Sequence, residues 1–262
     1  MRALYTFGCS LTRYHWPTWA DLLGFHFDYH ENWAASGLGN RAIVERLSEC
    51  VVRSKITADD VIIVQWTDFH RHDTHSTKRE SVGWSQHGSI FNNQDYSKEW
   101  IEQVWDEQSY MMHTYNFINL GVALLKTLPC EWYMTSINDL IKPMNSFPQL
   151  SPYRQMFESK NWLPHMGPFW LDSPYERMVF KNEDYYQQTG KLEDYIDPHP
   201  SPKAHLDYMS TYLAPKWGFT PDEEWVNAVH NTVKATKFHS EIEPILLDKA
   251  DWAPESTVVR GL

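Results

Sequence analysis

Hydrophobic and polar positions along the chain fall into short apolar runs separated by stretches with helical spacing. Ala3 to Phe7 predicts a first strand. Val61-Ile62-Ile63-Val64, following Asp59-Asp60, predicts a strand buried on both faces, since a parallel strand covered by helices keeps no polar side. A second strand is expected over Phe27 to Ala34, and a fourth over Glu131 to Ile137, ending at Asn138-Asp139. Between them Ile43, Val44, Leu47, Cys50 and Val51 recur at helical spacing, so Arg41 to Arg53 reads as an amphipathic helix with Asn40 as its N-cap. Trp19, Ala20, Leu22 and Leu23 give a short helical face that follows Pro17 and stops at Gly24. Ser97 to Thr127 reads as helix broken near Ser109. Ser201-Pro202 opens a helix whose stripe is His205, Tyr208, Met209, Tyr212 and Leu213, and Thr220 to Lys237 reads as another. Three stretches lack such patterns. His70 to Tyr96 is polar and long enough to suggest a lid or a disordered insertion, Pro143 to Asp194 supports only short helices, and His239 to Leu262 reads as a tail or partner-binding arm.

Strands alternating with helices predict an α/β fold: a doubly wound, flavodoxin-like parallel sheet with helices on both faces, in three α/β/α layers. In such a sheet Ser10, Gly37, Thr67 and Asn138 all follow strand ends and meet along the edge where ligands bind. The expected division is a main domain over 1–218, carrying the polar insertion around 70–96, and a C-terminal helical extension or tail over 219–262.

Composition narrows the function. A net charge of −11 argues against nucleic acid and against an anionic membrane surface, both of which need Lys and Arg. Three cysteines, Cys9, Cys50 and Cys130, are odd in number and far apart, which suits neither a disulfide framework nor a four-cysteine zinc site. No run is apolar enough to span a bilayer, and no secretory leader is seen, so a soluble chain in a reducing, cytoplasmic compartment is expected. Aromatic residues make up 15%, with 13 Trp, enough to fill a core and to line a contact surface for sugars or for another protein.

The candidate chemistry sits in two stretches. Phe7-Gly8-Cys9-Ser10-Leu11-Thr12 delivers a hydroxyl at a strand's carboxyl end, either as a nucleophile or as a helix cap. Asp197-Pro198-His199-Pro200-Ser201-Pro202 places a histidine two residues after an aspartate, either a base with its orienting carboxylate or a solvated turn. Asp194 is a weaker rival for that carboxylate, His205 reads as a helix histidine packed behind the site, and Cys9 as a small buried residue. His70, His72, Asp73 and His75 carry ligand-type side chains, but their spacing matches no helical metal pair, so no metal or cofactor is expected. Arg71 offers a fork of donors for an anionic group.

Together these stretches resemble the SGNH (GDSL-type) hydrolase superfamily over roughly residues 1–213. The resemblance implies Ser10 as nucleophile, Asp197 and His199 as the acid–histidine pair, and Asn32-Trp33-Ala34-Ala35-Ser36-Gly37 as the block whose glycine amide helps form the oxyanion hole. Gly-Cys-Ser stands where the name motif has Gly-Asp-Ser. Gln65-Trp66-Thr67-Asp68 stands where the family has Gly-x-Asn-Asp, so Thr67 takes the asparagine's place as third donor, with Gln65 and Asn138 as spare amides. The implied activity is hydrolysis of a short acyl ester, most plausibly O-acetyl on a carbohydrate. Trp66, Arg71 and Asn138 are candidate substrate-binding residues, and Trp84 is a further aromatic for the rim. O-acyl transfer to a sugar and a non-catalytic carbohydrate-binding module remain open, as does self-association or a partner contact through the tail, where Trp252 would anchor docking.

Overall fold

A computed structural model describes residues 1–76, 83–93, 95–171, 174 and 177–253. The end of the expected tail, 254–262, and part of the polar insertion, 77–82 and 94, lie outside the described residues.

In chain order the first half gives β1 (Ala3–Phe7), α1 (Trp19–Gly24), β2 (Tyr29–Asn32), α2 (Asn40–Arg53), β3 (Val61–Trp66), the short antiparallel pair β4 (His75–Ser76) and β5 (Gly83–Trp84), α3 (Lys98–Val104), α4 (Glu107–Leu125) and β6 (Glu131–Ser136). Strands β2, β1, β3 and β6 lie side by side in that order as a four-stranded parallel sheet. Every residue of β1 and β3 is buried, which is why both read as unbroken apolar runs. Strand alternation splits them between two cores. Tyr5, Phe7, Ile62, Val64 and Trp66 pack with Ile43 and Leu47 of α2 and Tyr115 and Ile118 of α4. Leu4, Val61 and Ile63 pack with Trp19 and Leu23 of α1 and with Leu206 and Tyr208 further on. Each fully buried side chain of this kind contributes about 1.5–3 kcal/mol, so closing both faces holds the sheet in its three-layer α/β sandwich.

Three boundaries differ from expectation for local reasons. Strand β2 is shorter than 27–34, although the Trp33 N–H still donates to the Thr6 carbonyl. Helix α2 starts from Gly39, and Asn40 does not cap it. The Asp73 carboxylate does so instead, accepting from the Gly39 and Ala42 N–H groups at 2.7 and 3.0 Å. The long helix breaks at Trp105-Asp106, ahead of Ser109, because the Asp106 side chain accepts from the Ser109 N–H and starts α4.

The second half holds 3-10 turns over Lys142–Ser146 and Pro148–Glu158, then α5 (Gly167–Trp170), β7 (Val179–Lys181), α6 (Glu183–Thr189), β8 (Asp194–Ile196), α7 (Pro202–Tyr208), α8 (Glu223–Ala235) and α9 (Ile242–Ala250). Strands β7 and β8 pair antiparallel, and β8 runs directly into Asp197. Helix α7 is capped by Ser201 and widens into a π turn over Met209–Leu213.

The stretch from 239 onward is not a loose arm as far as it is described. Ile242, Leu246 and Trp252 are buried with Val229, Val233, Met178, Phe180, Tyr14 and Trp16 in a third core cluster. Trp252 is 1% exposed, which leaves it no surface for docking a partner. Among the described residues no helix is long and apolar enough to cross a membrane.

Candidate active site

Because the four central strands are parallel, their carboxyl ends share one edge, and β1 and β3 meet there in the middle of the sheet. Ser10 leaves β1 in a tight turn closed by the Thr12 and Arg13 N–H groups on the Cys9 carbonyl. Gly8 makes the turn fit, since a Cβ there would lie 2.1 Å from Thr12 Oγ1 and 3.2 Å from the Gln65 carbonyl. Thr12 is fixed in turn: its hydroxyl donates to Gln65 Oε1, and its carbonyl accepts from Thr18 Oγ1 and Asn32 Nδ2. Gly37 follows β2 with φ +77°, a left-handed conformation that favours glycine, and a Cβ there would lie 2.3 Å from the Gln86 carbonyl oxygen.

Asp197 and His199 form a defined pair. Asp197 Oδ1 accepts from His199 Nδ1 and from the His199 N–H, each at 2.8 Å. The Asp197 carboxylate has no exposed surface. Burial alone would raise its pKa, but hydrogen bonds from His199 and His239 outweigh this and hold the carboxyl well below the usual carboxylate range. The Tyr14 hydroxyl donates to Asp197 Oδ2 at 2.7 Å, and its ring stacks on the His199 imidazole with centroids 3.8 Å apart. Trp170 Nε1 and Arg177 donate to the Pro198 carbonyl, which fixes the turn between aspartate and histidine. His199 Nε2 is not used by these contacts. No hydrogen bond joins Ser10 to His199 among the described residues.

The third expected donor has a mixed position. Thr67 is fully buried, and its N–H and carbonyl are both taken by the Asn40 side chain. Its hydroxyl has no hydrogen-bond partner among the described residues. The spare amides are committed elsewhere, Gln65 to Thr12 and Met166 Sδ, and Asn138 Nδ2 to Asp68 Oδ2 at 3.0 Å.

One expected binding residue, Trp66, is corrected. Trp66 has no exposed surface and lies against Gly121 of α4, so it is core and offers no face to a sugar. The ring of Trp84 is covered by Arg41 at 5.7 Å and meets His75 edge-on. Arg71 spends one guanidinium N–H on the Leu38 carbonyl at 2.6 Å, and it lines a cleft of about 430 Å³ with Asn40, Asp68, Tyr110 and His113. The histidines around it are dispersed: His70 pairs with Asp68, His72 meets the Tyr110 hydroxyl, and Asp73 serves α2. Among the described residues no group of three or more such side chains gathers to hold a metal. Asp194 is exposed and paired with Lys181. His205 is fully buried with neither ring nitrogen partnered among the described residues, and burial, with the nearby His199 charge, pulls its pKa down to about 3.

Sequence reasoning missed Tyr14 and His239 altogether. His239 Nε2 lies 3.2 Å from Asp197 Oδ2, and His15 Nδ1 lies 2.5 Å from Glu243 Oε1. Burial and the His239 charge lower the His15 pKa against the pull of Glu243. A cleft of about 270 Å³ beside Gly37 is lined by Arg13, Tyr14, His15, Ser36, Gln86 and Glu243. The only sequence signal for these partners was the aromatic run Tyr14-His15-Trp16 close behind Ser10.

The chain is similar to a crystal structure of a member of the lipolytic protein G-D-S-L family from Veillonella parvula DSM 2008. The two share 14% sequence identity at a TM-score of 0.43, over 83% of this chain and 98% of that one. No family model matches the sequence, and no curated protein does.

Proposed function

We propose that the protein is a serine ester hydrolase of the SGNH type, with Ser10 as nucleophile, His199 as general base and Asp197 as its orienting carboxylate. The observation that supports this reading is the buried Asp197 carboxylate on His199 Nδ1, with the ring of Tyr14, from the segment that follows Ser10, stacked on that imidazole. An Nδ1 tied to carboxylate sets the tautomer a base needs at Nε2.

His199 takes the Ser10 proton as the hydroxyl attacks the ester carbonyl. The carbonyl π electrons move to oxygen, and the N–H groups of Ser10 and Gly37 hold the resulting oxyanion, with the Thr67 hydroxyl as third donor. The intermediate collapses, the alcohol leaves with the proton from His199, and water, deprotonated by the same imidazole, releases the acid from the acyl-enzyme. The small polar cleft beside Gly37 suits a short acyl group and an alcohol rich in hydroxyls, so an O-acetylated carbohydrate is the preferred substrate. Arg71 and Asn138 border neighbouring surface and would bind outlying groups of it. An alcohol that outcompetes water would turn the same cycle into O-acyl transfer.

The test is labelling by a fluorophosphonate together with acetate release from acetylated oligosaccharides, compared with long-chain and aryl esters. Wild type labels and turns over, whereas Ser10→Ala does neither and His199→Ala loses at least about a thousandfold in turnover. Faster cleavage of long-chain esters would overturn the substrate class. Labelling that persists in Ser10→Ala would overturn the nucleophile. Sugar binding with no Ser10-dependent turnover on any ester would favour a non-catalytic module.

A further inference from the structure

We infer that the C-terminal extension belongs to the reaction centre, and that His239 is a positioning residue which, with Tyr14, fixes Asp197 beneath His199. The inference rests on the reading of Ser10, Asp197 and His199 given above and adds a member to it.

A carboxylate without exposed surface needs hydrogen bonds on both oxygens to remain charged. Asp197 divides them. Oδ1 is devoted to His199, through its backbone N–H and Nδ1, each at 2.8 Å. Oδ2 accepts from the Tyr14 hydroxyl at 2.7 Å, and His239 Nε2 lies 3.2 Å from both Oδ2 and the Tyr14 hydroxyl oxygen. The Tyr14 hydroxyl has one proton and gives it to the carboxylate, so Nε2 of His239, which faces two acceptor oxygens, carries its proton and shares it between Oδ2 and the tyrosine oxygen. With both oxygens engaged, the carboxylate cannot rotate about its Cβ–Cγ bond without losing a partner. That restraint is what keeps His199 Nδ1 bonded and its Nε2 directed outward.

His239 is itself held on three sides. Its ring meets His15 edge-on at 4.3 Å, Tyr14 at 5.7 Å and Phe180 at 5.4 Å. His15 is in turn tied to Glu243 at the start of α9. The main chain follows the same path: the Lys181 N–H donates to the Lys237 carbonyl, and the Asp197 N–H donates to the Met178 carbonyl. Strand β7 therefore has the extension bonded at its last residue and Asp197 bonded at the residue just before its first. A helical appendage that merely covered the domain would need no imidazole on the buried acid of the base pair.

The test uses the full chain with p-nitrophenyl acetate and compares His239→Phe, which keeps the ring and loses the N–H, with His239→Gln, whose amide still donates. His239→Phe should lower kcat by about tenfold to a hundredfold with KM within about twofold, and His239→Gln should stay within about threefold of wild type. Thermal unfolding is followed alongside, and if His239→Phe does not fold, His239→Asn, too short to reach Asp197, replaces it with the same expectation. Wild-type kcat in the donor-free variant, or equal losses in the donor-free and Gln variants, would overturn the positioning role. Full turnover in His199→Ala would instead overturn the underlying reading, so the two failures are distinct.

Discussion

The histidine end and the serine end of the candidate site differ in how much of their chemistry is already engaged. Asp197 and His199 are fixed by hydrogen bonds on both carboxylate oxygens, by a stacked tyrosine and by two donors on the intervening Pro198 carbonyl. Around Ser10 the backbone is equally fixed, through Gly8, Thr12 and Gln65, but the Thr67 hydroxyl, proposed to meet the substrate oxygen, has no hydrogen-bond partner among the described residues. On the proposed mechanism, the base would be fixed before substrate arrives, whereas the oxyanion side would gain its partner only from the substrate. A buried hydroxyl without a partner costs about 1–3 kcal/mol, a cost that a substrate oxygen would relieve.

The widest break in that contrast would come from Thr67→Val, which keeps shape and removes the waiting donor. We expect kcat to fall by about a hundredfold while the melting temperature holds or rises, read by turnover and calorimetry on one preparation. Unchanged kcat would leave the oxyanion to the two backbone amides alone. On the histidine side Tyr14→Phe keeps the ring on His199 and deletes one bond to Asp197. A loss of about tenfold in kcat is expected, with KM little changed; no loss would mean that the remaining donors suffice.

The smallest effect concerns stability against acid. Burial holds His205 and His30 down to about 3, whereas a free imidazole titrates near 6.5. Between those values the unfolded chain binds protons that the fold refuses, so stability is complete above about 6.5 and is lost as pH falls towards 3. The slope is at most about 1.4 kcal/mol per pH unit for each histidine. Urea midpoints from pH 7 to 4 should therefore decline less steeply in His205→Leu than in wild type, and parallel curves would show that His205 is not kept neutral.

Legibility followed the range over which each signal acts. Strands β1 and β3 and helix α2 were readable because burial on both faces, or on one helical stripe, writes itself into consecutive residues. The Asp197–His199 contact was readable because the two residues stand two positions apart, and Gly8-Cys9-Ser10 drew notice because the proposed nucleophile sits directly on the turn after β1. The cap on α2 was not, since its acceptor, Asp73, stands 34 residues beyond Gly39. The β7–β8 pair escaped notice because its strands have three residues each and β8 is exposed throughout, which leaves no alternation to detect. Trp66 misled for a related reason: position beside Thr67 says nothing of which way a strand side chain points, and at the sheet's end it points into the core.

Tyr14 and His239 are separated by 225 positions, yet they share one carboxylate oxygen. During synthesis the first of these residues leaves the ribosome long before the second has been made. Until then the indole of Trp16 and the ring of Tyr14 lack the cover that Ile242, Leu246 and Trp252 supply, and Asp197 lacks one of its donors. Closing so long a loop adds only logarithmically to the entropic cost, but it cannot happen early. In a growing chain, the cluster of Tyr14, Asp197 and His239 therefore assembles only once the chain has been made through His239.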